Sequence, residues 1–241
     1  MNIHTDTPPI KSWSHSRLKD FESCKYKAYL KYVEKRPEPD TIDKTAANRG
    51  SQLHEEAEHF IRGELPVITP GLAKWTDTFE RLRASFPDGK ILVEDEWAFD
   101  LDWGITSWLS DNVWCRQKLD VFEFTSEITG EVTDWKSGKK FGNEVSHTQQ
   151  GQQYAVGTFL RYPQLIEVTV SFKYLDHKGQ HLTRTYSRST LPTLLQGINR
   201  RALAMTTATD FPANPNKIQC RFCPYGPNNG GDSSCPVGVP I

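Results

Sequence analysis

The stretch "GEVTDWKSGKK", residues 130 to 140, sets an aspartate, Asp134, two positions before a lysine, Lys136, inside a run of strand-forming residues. Side chains two apart on a strand point to the same face, so the carboxylate and the ammonium share a side. Alone, such a pair is no more than an ion pair on an exposed strand. A second aspartate, Asp120, lies in the preceding run "KLDVFEF", separated by a short turn, "SEITGE", that suggests a hairpin. Two carboxylates converging beside a lysine make an oxygen-rich site suited to Mg²⁺ or Mn²⁺. An ion held there would polarise a phosphoryl oxygen and acidify a bound water, and Lys136 would hold or help deprotonate that water. The chemistry indicated is phosphodiester hydrolysis.

Those groups need a sheet beneath them and helices around it. "SWSHSRLKDFESCKYKAYLKYV" carries Leu18, Phe21, Tyr29, Leu30 and Val33 at helical spacing after a cap at Ser14 or Ser16, with a break expected near Cys24. After a proline-bearing loop, "TAANRGSQLHEEAEHFIRGELP" reads as a helix with Leu53, Ala57, Phe60 and Ile61 as its buried stripe and Gly63 as its stop. "TPGLAKWTDTFERLRASFP" predicts a third helix, capped by Thr69, with Pro70 in its first turn and Leu72, Trp75, Phe79 and Leu82 facing inward. Strands follow in "KILVEDEWAFDL", "VWCRQKLDVFEFT" and "EVTDWKSG", then a helix in "SHTQQGQQYAVGTFLRYP". "LIEVTVSFKYLDHKGQHLTRTYSRS" reads as strand, turn and strand, "TLPTLLQGINRRALAM" as a late helix, and the tail from Pro212 as loop throughout. This order predicts an α/β fold, a central mixed β-sheet flanked by helices.

At 241 residues, one domain with a single sizeable core is the expectation. Its core is expected at about residues 45–190, with 14–35 and 190–241 forming an accessory lobe. The 29 Lys and Arg against 30 Asp and Glu give a net charge of −1, which excludes an all-over basic coat but not a local basic groove. No apolar run is long enough to span a bilayer, and "MNIHTDTPPIKSWSHS" lacks the apolar core of a secretory signal, so the expected place is a cytoplasm. Five cysteines in a reducing compartment point to metal before disulfides. Cys220 and Cys223 form a C-x-x-C pair, and Cys235 follows a loop rich in Gly, Pro and Asn.

Taken in order, several segments resemble the PD-(D/E)XK nuclease superfamily, and within it the RecB-like branch that includes the CRISPR-associated and AddB-type iron–sulfur exonucleases. "SHSRLKDFESCKYKAYLKYV" looks like the branch's opening helix with its cysteine, and "RGSQLHEEAEHF" like its glycine-then-histidine helix. "KLD", "VTDWKSGK" and "QGQQY" match the first metal carboxylate, the D-x-K pair and the Q-x-x-x-Y signature, and the tail matches three C-terminal cysteines. These landmarks run from about residue 14 to 235. Two positions differ from the usual pattern: "CRQKLD" lacks a glycine before the carboxylate, and Trp135 stands where Tyr or Phe is common. The spacing before Cys235 is also longer than usual.

The resemblance implies a restriction-endonuclease-like core in which His54, Asp120 and Asp134 hold Mg²⁺ or Mn²⁺, Lys136 activates water, and Gln150 and Tyr154 line the site. It nominates Cys24 as the fourth thiolate beside Cys220, Cys223 and Cys235, around a structural [4Fe–4S] cluster, with zinc as the alternative. Cys115 is read as a packed thiol and reserve ligand. Glu94 and Glu96 would share a face of their strand, near the metal, and Glu58 would lie one turn beyond His54. Arg116, Lys118, Lys139 and Lys140 would form a basic patch, and Trp103, Trp108 and Trp135 are candidates to stack unpaired bases. The implied activity is that of a DNA exonuclease in recombination or repair, acting on single-stranded DNA or free ends, with a helicase or annealing protein as partner. A non-catalytic nucleic-acid-binding protein and a zinc-stapled scaffold are the alternatives.

Overall fold

The computed structural model describes residues 1–39, 43–138, 140–229 and 235–240. The chain divides into two compact units, one of Thr45–Gly197 and one of Met1–Lys44 with Ile198–Ile241.

In the unit of Thr45–Gly197, six strands among the described residues form one sheet: β1 (Ile91–Phe99), β2 (Ile105–Thr106), β3 (Cys115–Phe124), β4 (Thr129–Lys136), β5 (Glu167–Tyr174) and β6 (His181–Ser187). Their spatial order is β2-β1-β3-β4-β5-β6, and only β4 and β5 run parallel. Parallel neighbours require a crossover, which the helix α5 (Glu144–Arg161) supplies. Helices α3 (Thr45–Ile61) and α4 (Thr76–Ser85) complete the flanks. The mixed sheet flanked by helices that the residue pattern predicts is the fold observed.

Leu53, Ala57, Phe60 and Ile61 are the buried residues of α3, as its apolar stripe predicts, and they pack with Phe79, Leu82, Val93, Val121 and Trp135 in one core. Gly63, with φ 82°, closes α3 in the left-handed region that an L side chain disfavours. The exposed C-terminal carbonyls of α5 are met by Arg188, whose guanidinium donates to Phe159 O (3.0 Å), Tyr162 O (2.7 Å) and Leu165 O.

One local expectation fails in this unit. Thr69 caps no helix: its hydroxyl donates to Glu56 (2.5 Å), and a 3₁₀ turn at Ala73–Trp75 precedes α4. Trp75 faces inward as expected, half-buried and packed against the core. The two-residue β2 was too short to carry a pattern.

In the unit of Met1–Lys44 and Ile198–Ile241, helices α1 (His15–Ser23) and α2 (Lys25–Tyr32) are broken at Cys24, whose backbone is extended, and Ser14 caps α1 by accepting from Arg17 N–H. Asp20 accepts from Lys27 Nζ and Tyr32 Oη, both at 2.6 Å. Burial opposes the ionised form of Asp20, but Lys27 and Tyr32 outweigh it and hold the carboxyl below its usual range. The late helix is α6 (Leu191–Thr206). The tail is not loop throughout, because Asn216 caps a five-residue helix, α7 (Lys217–Arg221), by accepting from Gln219 N–H. No described helix is long and apolar enough to cross a membrane.

Candidate metal centre and active site

The strand register aligns three carboxylates. Val93 faces Val121 and Asp95 faces Leu119, which leaves Glu94 and Asp120 opposite each other at an unpaired step of the β1–β3 ladder. Glu94 has φ 52°, left-handed for a residue with a Cβ, a conformation that costs about 1–2 kcal/mol. The β3–β4 ladder in turn stops at Val121–Thr133, one step short of Asp120 and Asp134. The backbone groups released there find side chains: Trp135 N–H donates to Asp120 Oδ2 (2.6 Å), and Tyr154 Oη lies 3.0 Å from Lys118 O. The strands therefore fork, and the acids sit in the fork.

His54 reaches it from α3, with Nδ1 3.2 Å from Asp120 Oδ1 and 3.8 Å from Glu94 Oε1. Among the described residues, His54, Glu94 and Asp120 form the one group of three whose ligand atoms lie within 4.8 Å of one another. Burial, together with the charge of Asp134, pushes the Asp120 carboxyl up to about 6. Burial lowers the His54 imidazole, but Asp120 and Glu94 overcome this and raise it to about 10. Glu94 is also paired with Lys118 Nζ at 2.8 Å.

Asp134 is gripped on its other side. Its Oδ2 accepts from Tyr154 Oη (2.9 Å) and Gln150 Nε2 (3.2 Å), and Gln150 Oε1 accepts from Lys136 Nζ (3.1 Å). Gln150 and Tyr154, four apart on α5, thus bracket both members of the D-x-K pair. Asp134 Oδ1 is buried and accepts no well-directed hydrogen bond, although Lys136 Nζ stands 2.6 Å away. An under-satisfied carboxylate oxygen beside three further O and N donors fits a hard divalent cation. These residues, with Gly50, Ser51, Glu55 and Glu58, line a cavity of about 550 Å³.

His54, Asp120, Asp134, Lys136, Gln150 and Tyr154 therefore line one cavity. Glu94 joins them, whereas Glu96 is exposed and outside the lining. Glu58 lines the cavity but pairs with Arg62 (2.9 Å). Of the expected basic patch, Lys118 lines the cavity but pairs with Glu94, and Arg116 lies over the Trp108 ring and donates to Trp108 O. Lys139 lies outside the described residues. Trp103 and Trp135 are core residues, 9% and 1% exposed, and have no face to offer a base.

In the other unit, Cys24, Cys220, Cys223 and Cys235 line one small cavity of about 80 Å³. Asn214 N–H points at Cys24 Sγ (3.4 Å). Burial raises the Cys223 thiol. Cys115 is fully buried on β3 with the Gln117 and Gln153 amides against its sulfur, and burial pushes its thiol up to about 12. It is a packed thiol.

Two solved structures match the chain. SSO0001 is 11% identical with a TM-score of 0.47, over 96% of this chain and 89% of that one. A provisionally assigned exonuclease from Eubacterium rectale is 10% identical with a TM-score of 0.48, over 81% of each chain. Likeness at this level does not identify acting residues. No curated protein matches. The model of the PD-(D/E)XK nuclease superfamily matches residues 12–111, a stretch that holds His54 and Glu94 and ends before Asp120. Over that stretch the chain is similar to the PD-(D/E)XK nucleases.

Proposed function

We propose that this protein is a divalent-metal-dependent DNA nuclease of the PD-(D/E)XK superfamily, an exonuclease of the RecB-like branch that trims single-stranded DNA or free ends in recombination or repair. The observation that carries the reading is the fork, where His54, Glu94 and Asp120 converge beside Asp134 and Lys136. His54, Asp120 and Asp134 would hold Mg²⁺ or Mn²⁺, with Glu94 as a further ligand. The ion supplies Lewis acidity toward a phosphoryl oxygen and acidifies a bound water.

The chain's own residues do the rest. Lys136, kept in place by Gln150 Oε1 and Asp134 Oδ1, would orient the attacking water by donating from Nζ and so favour the charge that develops on it. Tyr154 and Gln150 fix Asp134 Oδ2 and so set the orientation of the carboxylate. His54 must release its proton to offer nitrogen as a ligand.

For the thiols, the reading is a structural [4Fe–4S] cluster on Cys24, Cys220, Cys223 and Cys235, in a reducing cytoplasm. Zinc on the same four thiols is the alternative. The chain has no G-x-x-x-x-G-K-[ST] loop, so unwinding would fall to a helicase or annealing partner.

End-labelled single- and double-stranded DNA, incubated with the protein in Mg²⁺, Mn²⁺ or EDTA, tests the reading. Cleavage that requires the metal and disappears in Asp134→Ala supports it. DNA binding without hydrolysis would indicate a non-catalytic binding protein, and a colourless zinc protein without either activity would indicate a scaffold.

A further inference from the structure

With Trp103 and Trp135 sealed in the core, Phe141, 81% exposed, is an aromatic presented to solvent in the connection that follows the D-x-K strand. It stands in the connection between Lys136 on β4 and Gln150 on α5, the two residues that meet at the site. Five Cα steps of about 3.8 Å put Phe141 within roughly 19 Å of Lys136, or about six stacked nucleotides at about 3.4 Å each.

The connection holds this ring outward. Asn143 N–H donates to Lys140 O (3.1 Å), closing a turn with Phe141 and Gly142 at its corners. Gly142 has φ 85°, as the third position of a type II turn requires, and its N–H is tied to Glu144 Oε2 (2.8 Å). A Cβ added at Gly138 or Gly142 would meet nothing within 4 Å, so the backbone here stands clear of the body. Val145, 74% exposed, lies in the first turn of α5, and Lys140 precedes Phe141 in the chain. An exposed aromatic on a hydrogen-bonded turn, next in sequence to a lysine and one connection away from phosphate chemistry, has the composition of a base-stacking platform on a strand-tracking groove.

We propose that Phe141 stacks on an unpaired base of the strand held at the fork and so makes the site prefer single-stranded over duplex DNA. This rests on the nuclease reading above. A stacked base is exposed only in a single strand, so the contact discriminates by strandedness rather than sequence.

The test uses the full-length protein, with Ca²⁺ in place of Mn²⁺, and a single-stranded oligonucleotide carrying 2-aminopurine. Wild-type protein should quench the 2-aminopurine. Phe141→Ala should abolish the quench and weaken single-strand affinity about tenfold, within the range for one base–aromatic stack, with less than about twofold change for duplex. Phe141→Trp should restore both quench and affinity. Unchanged single-strand affinity in Phe141→Ala, or equal loss for single strand and duplex, overturns the proposal. Hydrolysis of bis(p-nitrophenyl) phosphate by wild-type protein in Mn²⁺ separates the two levels. Hydrolysis without an effect of Phe141→Ala on strand binding refutes the stacking role alone. Absence of both hydrolysis and DNA binding removes the nuclease reading and this proposal with it.

Discussion

In the fork, Glu94, Asp120 and Asp134 arrive from three neighbouring strands at matching positions, with the β1–β3 ladder continuing on either side and the β3–β4 ladder leading up to them. The four thiols of the other unit come instead from a helix junction, a five-residue helix and the tail, around a small core of Tyr26, Leu30 and Tyr225. The carboxylates are thus placed before any ion arrives, and the fold bears the cost as a left-handed Glu94, a raised Asp120 and an under-satisfied Asp134 Oδ1. The thiols have far less regular structure to place them. A ligand removed from the fork should therefore cost activity, and one removed from the thiol cavity should cost structure.

The largest effect is expected at the fork. Asp134→Ala should lower Mn²⁺-dependent cleavage by about a thousandfold or more, since several kcal/mol of charge stabilisation go with the ion. Lys136→Ala should lower it by about 10²–10⁴. Both variants should keep the wild-type circular dichroism. Loss of fold in either would erase the contrast between the two regions.

Next in size comes the thiol cavity. Cys24→Ala should strip iron from the purified protein and open the segments around Cys220 to limited proteolysis, because cofactor binding there is folding free energy. Cys115→Ala should leave metal content unchanged. Elemental analysis of the two variants side by side checks both statements, and iron retained by Cys24→Ala would contradict them.

Acid separates the regions more gently. Asp120 has its folded pKa raised, so its ionisation costs the metal-free fold stability, and that cost is relieved as pH falls through about 6 toward the unfolded value near 3.8. Asp20 has the opposite sign: its stabilisation is present above 3.8 and is lost as pH falls below that. Apparent Mn²⁺ affinity should therefore fall as pH drops below about 10, where His54 holds its proton, and fall more steeply below about 6, where Asp120 takes one up as well, while the helices around Asp20 persist to below pH 4. Asp20→Asn should flatten the acid limb of a melting-temperature profile, and an unchanged limb would remove Asp20 from the account.

The sheet and the α3 stripe were legible because burial on one face writes a periodicity into the chain, as Leu53, Ala57, Phe60 and Ile61 show. Strand alternation likewise put Asp134 and Lys136 on one side, while His54 drew attention only through its place in an ordered set of motifs. Glu94 and Glu96 looked equivalent because alternation treats them alike, and the left-handed turn of backbone that separates them leaves no mark in composition. Thr69 has the chemistry of a cap, but the tertiary contact with Glu56 took its hydroxyl. Trp103 and Trp135 show the same limit, since an aromatic suits a core and a nucleobase equally well. Phe141 carried no signal at all, a single apolar residue in a polar turn.

Calorimetric titration of Mn²⁺ into the protein and into Asp120→Asn tests the shared-cation claim most directly. Asparagine keeps an acceptor for Trp135 N–H while removing the charge. The account predicts saturable binding with proton release in the wild type, and binding weakened by at least about tenfold in Asp120→Asn. Identical Mn²⁺ isotherms for the two proteins would contradict it.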